Sequence, residues 1–112
     1  VFTHWFGDVN TDHKATWEIS RTAFRNVKSL MMYQSNSYSD NANIFKPNLF
    51  FSFDKKQHIF KEKFLSQYTV EWERRKNRWK REIFEKERYW GYLAGNDYAE
   101  GFQIGKIVDF FV

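Results

Sequence analysis

The chain has 112 residues, a formal net charge of +4 and no cysteine. That length allows one modest core, and the missing thiols exclude disulfides, thiolate metal sites and cysteine nucleophiles. Thirteen Phe, six Tyr and five Trp outnumber Val, Ile and Leu together, and no run reaches the ~18 apolar residues of a membrane-spanning helix. A small domain with this much aromatic area is expected to keep part of it on its surface, where large apolar patches mark contact sites.

In chain order, the opening VFTHWFGDVN has no signal-peptide pattern. It reads as an aromatic arm leading to a helix of about Lys14 to Tyr33. Asp12 is the expected N-cap, and Trp17, Phe24 and Met31 recur at sevens as an apolar stripe. The following residues 34–43, QSNSYSDNAN, have the composition of a flexible loop. IFKPNLFFSF, 44–53, holds the only proline and reads as an aromatic connecting segment, either a short strand or extended chain.

Asp54 and Gln57 have the spacing of a capping box, and no Gly or Pro occurs between there and Trp90. At 100° per residue, Leu65, Tyr68, Trp72, Trp79, Ile83 and Trp90 share one narrow arc. The pattern predicts one long amphipathic helix over about 55–90. The tail carries all but one of the five glycines. Gly91 is expected as the residue just past the helix end, and 94–97 as a turn, followed by a short helix or strand. The expected fold class is therefore mainly α, in a single small domain over 1–112. An antiparallel helix pair packs the 17/24/31 stripe against the 65/72/79 stripe, with the aromatic segment and the Gly-containing tail covering its open side.

Charge concentrates in WERRKNRWKR, 72–81, where basic residues flank two tryptophans. Nucleic-acid binding would ask the cations for phosphates and the tryptophans for bases. On a helix, however, Arg74, Arg78 and Arg81 gather opposite Trp72 and Trp79, and Glu73, Glu82, Glu85 and Glu87 interleave with the cations. A mixed run of this kind reads as a solvated face.

His4, Asp8, Asp12 and His13 are ligand types for zinc or iron. They match no recognised metal spacing and read as a surface turn with a helix cap, so no metal or cofactor is assigned. His58, near the start of the long helix, is expected to face solvent. Glu62, Glu71, Asp97, Glu100 and Asp109 are acid/base candidates by type alone, and no phosphate loop occurs.

The expectation is thus a non-catalytic protein-binding or structural protein, a small accessory subunit of a larger assembly. Trp72, Trp79 and Trp90 are its expected anchors, and Arg74, Arg78 and Arg81 face an acidic partner. The alternative is a nucleic-acid-binding module on the basic face. An intracellular location is expected from the lack of cysteine. The basic charge and the opening Val point within that to an organelle such as the mitochondrion.

Overall fold

The computed structural model describes residues 1–35, 44–70, 73 and 78–109. Among these the chain order is β1 (Phe2–His4), α1 (Thr11–Ala23), β2 (Ser29–Tyr33), β3 (Leu49–Phe53), α2 (Lys55–Leu65), α3 (Arg78–Ala94) and β4 (Tyr98–Ile107). The strands form one mixed sheet in the order β1-β2-β4-β3. The fold is α/β, which overturns the expected mainly α helix pair. By contact density the chain divides into two compact units, Val1–Leu49 with Phe102–Val112, and Phe50–Gly101.

In the first unit, α1 stops ten residues before the predicted end of its helix. The Phe24 N–H closes the last turn on Ser20 O, and Val27 N–H turns back to Phe24 O. The next residues, SLMMY, alternate half-buried and buried, with Leu30 and Met32 inward. That is the period of a strand. β2 runs parallel to β1, with Phe2 opposite Met31 and His4 opposite Tyr33, and antiparallel to β4, with a bulge between Leu30 and Met31. Met31 therefore belongs to the sheet and not to a helical stripe. The core holds Trp5, 1 % exposed, with Leu30, Met32 and Phe45. The Phe45 ring meets Trp5 edge-on at 5.5 Å. A buried hydrogen bond of 2.8 Å from Thr3 to Ser20 ties β1 to α1. Of the loop expected at 34–43, residues 36–43 lie outside the described residues.

In the second unit the predicted single long helix is broken after Leu65, and α2 and α3 lie on either side of that break. Asp54 and Gln57 form the predicted capping box, each side chain accepting from the other's backbone N–H. α2 then ends at Leu65 in tight i to i+3 bonds, Gln67 N–H to Phe64 O and Tyr68 N–H to Leu65 O. The Ser66 hydroxyl takes up the Glu62 carbonyl. Such side-chain bonds and tightened turns satisfy the carbonyls that a helix end orphans. On one straight helix, Glu62 and Lys80 would stand about 27 Å apart. Here they pair at 2.9 Å.

α3 runs past Gly91 to Ala94. The C-terminal turn is made by Gly95 at φ +74°, with Asn96 N–H to Gly91 O and Gly95 N–H to Tyr92 O. These are the two bonds of a Schellman ending. Gly91 instead serves packing. A Cβ there would stand 2.6 Å from the backbone of Asp97 and Tyr98. The predicted turn at 94–97 is present, and the tail that follows is strand β4.

Candidate functional site

Within the second unit, His58 and Lys61 of α2 turn toward α3 and β4. The His58 ring stacks on Tyr98 at 4.2 Å and meets Phe84 edge-on at 4.6 Å, so it is half-buried and not solvent-facing. The Lys61 ammonium donates to both Glu87 and Glu100 and lies over the Phe53 ring. Glu62 pairs with Lys80, whose hydrogen bond holds its carboxyl below the usual carboxylate range.

Glu87 is 2 % exposed although its neighbours on α3 include Phe84 and Gly91. Burial pushes its carboxyl above the ordinary value, and Lys61 only partly offsets this. Burial acts on Lys61 in the opposite sense, but hydrogen bonds to Glu100 and Glu87 prevail and hold it above the ordinary lysine value. This cluster ties α2, α3 and β4 together. Two open pockets adjoin α2. One of about 410 Å³ is lined by His58, Lys80, Arg81, Phe84, Arg88 and Tyr98, among others. A smaller one of about 240 Å³ includes Phe53, Lys61 and Glu100.

The outer face of α2 is the apolar one. Phe60 is 72 % exposed and Phe64 55 %, with Ile59 beside them and Tyr68 just beyond the helix end. No residue of α2 is buried. Lys55, Lys56 and Lys63 are exposed on the same helix. α3 adds exposed Tyr89, Tyr92 and Leu93.

Trp79 and Trp90, the expected anchors, are half-buried on α3. Trp79 lies edge-on to Tyr68 at 6.5 Å. Arg78 and Arg81 are exposed, and Arg81 donates to Glu85 at 2.8 Å. Trp72 and Arg74 lie outside the described residues.

Sequence reasoning misses Phe60, Phe64 and Lys61, although the signal is present. Phe60 and Phe64 are i and i+4, so they share a face apart from Leu65. A wheel over 55–90 favours its single richest arc, which leaves them out.

In the first unit, His4, Asp8 and His13 come together, while Asp12 faces solvent in the first turn of α1. The α1 cap is Asn10, not Asp12; its side chain accepts from the N–H groups of Asp12 and His13. Burial, followed by the His13 charge, holds His4 below the ordinary imidazole value. No helix among the described residues is long and apolar enough to cross a membrane. No protein-family model, curated protein or solved structure matches this chain.

Proposed function

We propose that this protein is a non-catalytic accessory subunit that docks on a protein partner through the outer face of α2. One observation carries the reading. α2 points His58 and Lys61 inward and leaves Ile59, Phe60 and Phe64 outside. A helix that stabilised only its own domain would bury that apolar face, since covering one Phe is worth about 1.5–3 kcal/mol. The interleaved lysines define the partner's chemistry as an apolar groove edged by carboxylates. Complementary charge of that kind mainly sets specificity and association rate.

A photo-crosslinking residue at position 60 tests this in the native source. It should capture one protein repeatedly, whereas the same residue at Lys14, exposed in the first unit, should not. Phe64→Ser in the same chain should abolish the capture at an unchanged circular dichroism spectrum. Equal capture from both positions, or none from position 60, overturns the proposal.

The nucleic-acid reading has less support. Lys80, Arg81 and Lys86 are all paired with carboxylates, so a phosphate contact through any of these three would first break an ion pair. Retention on single- or double-stranded nucleic acid at low salt, with a steep loss as salt rises, would favour it instead.

A further inference from the structure

The chain leaving β1 brings three metal-ligand types together inside the first unit. His4 closes β1, Asp8 lies in the loop after it, and His13 sits in the first turn of α1. The loop is held tightly. A Cβ at Gly7 would overlap the buried Trp5 ring at 2.4 Å, and the Asn10 cap fixes where α1 begins. The Asp8 side chain is 0 % exposed. One of its oxygens accepts from the Asn10 N–H at 2.8 Å and the other lies 2.7 Å from His13 Nδ1. The imidazoles of His4 and His13 are parallel, with centroids 3.9 Å apart. A ring nitrogen from each histidine and one Asp8 oxygen all fall within 4.8 Å of one another. His4 Nδ1 is buried without a hydrogen-bond partner.

We propose that His4, Asp8 and His13 bind a divalent transition ion of the zinc class. The donor set selects the ion. Imidazole nitrogens with one carboxylate suit zinc, cobalt and their neighbours, whereas calcium and magnesium ask for oxygen ligands throughout. Zinc bonds of about 2.0–2.2 Å place ligand atoms roughly 3–3.5 Å apart around a tetrahedral ion. The donor atoms, now within 4.8 Å of one another, must draw together to reach that spacing. Stacked rings send their lone pairs side by side, so loading the ion tilts one imidazole away from the other. Where His13 Nδ1 is the ligand, the neutral ring carries its proton on Nε2 instead, and the hydrogen bond to Asp8 gives way to the metal.

Asp8 supplies the buried negative charge and the histidines supply the softer donors. Three protein ligands leave a fourth position for water or an exogenous donor.

Cobalt titration of the full chain, purified without a histidine tag, tests the site. One equivalent should produce visible ligand-field bands that zinc then removes. His4→Gln and His13→Gln should each weaken binding by at least about tenfold, while His58→Gln leaves it unchanged. A readout without variants is carbethoxylation of the histidines followed by mass spectrometry. Zinc should protect His4 and His13 and leave His58 as reactive as before. The proposal is overturned if millimolar cobalt gives no bands and zinc no protection. It is equally overturned if binding persists in both His4→Gln and His13→Gln, or if zinc protects only His58.

Discussion

Lys61 of α2 donates to Glu87 of α3, a carboxylate 26 residues later that is almost wholly inside the second unit. Glu100 of β4 shares the same ammonium. Removing the cation leaves a buried carboxylate without its donor, and such a group costs about 1–3 kcal/mol. Lys61→Met is therefore expected to lower the unfolding free energy in urea by that amount. Lys61→Met with Glu87→Met should recover most of the loss, because an apolar pair carries no desolvation cost.

Stability should also fall as the pH rises through the native Glu87 value. Burial raises this carboxyl above its ordinary range, so the folded state binds its proton more tightly than the unfolded one. The stabilisation is complete below the ordinary carboxylate value of about 4.3 and disappears as Glu87 ionises in the native protein. Unfolding measured against pH for wild type and Glu87→Gln isolates the effect. The advantage of wild type should shrink between those two values and be constant above them. A gap that widens with pH would mean the sign is wrong.

Two glycines should respond to alanine for different reasons. Gly91→Ala gains about 1 kcal/mol of helix propensity but drives its Cβ into the Asp97–Tyr98 backbone, and overpacking costs about 1–3 kcal/mol. A net loss is expected. Gly95→Ala meets no atom within 4 Å yet must hold φ +74°, a strain of about 1–2 kcal/mol. Asparagine should relieve the second defect and worsen the first, which thermal unfolding would reveal.

At the start of α1, Asn10→Ala should cost about 1 kcal/mol, since the side chain satisfies two orphan N–H groups. Asp12→Ala should cost a few tenths, through the helix dipole alone. Equal losses in chemical denaturation would contradict the assignment of the cap.

Phe60→Ser and Phe64→Ser should each leave the unfolding free energy of the isolated chain within about 0.5 kcal/mol. Their rings are mostly exposed already, so little burial is lost. A loss of about 2 kcal/mol or more would place these rings in the chain's own core and remove the basis for the docking face.

Much of the local punctuation is legible in the residues themselves. The Asp54–Gln57 box and the turn at 94–97 involve groups within a few residues of each other. Trp79, Ile83 and Trp90 do share the half-buried side of α3. The strands are less legible. Met31 fits a spacing of seven from Trp17 and Phe24, while Leu30 and Met32 fit a spacing of two, and one sequence window holds both patterns.

The sequence by itself determined what four or five residues can satisfy among themselves, namely the Asp54–Gln57 cap, the turn at 94–97 and the helical character of 55–65 and 78–90. Tertiary structure alone decided that SLMMY is a strand, because its N–H and C=O groups find their partners on β1 and β4, far away in the chain. It also decided which face of α2 is wet. A wheel drawn over about 55–90 assumes unbroken helical phase, and the tight turn at 66–68 resets it. After that break, Lys61 meets Glu87 inside the unit, and Phe60 and Phe64 are left outside.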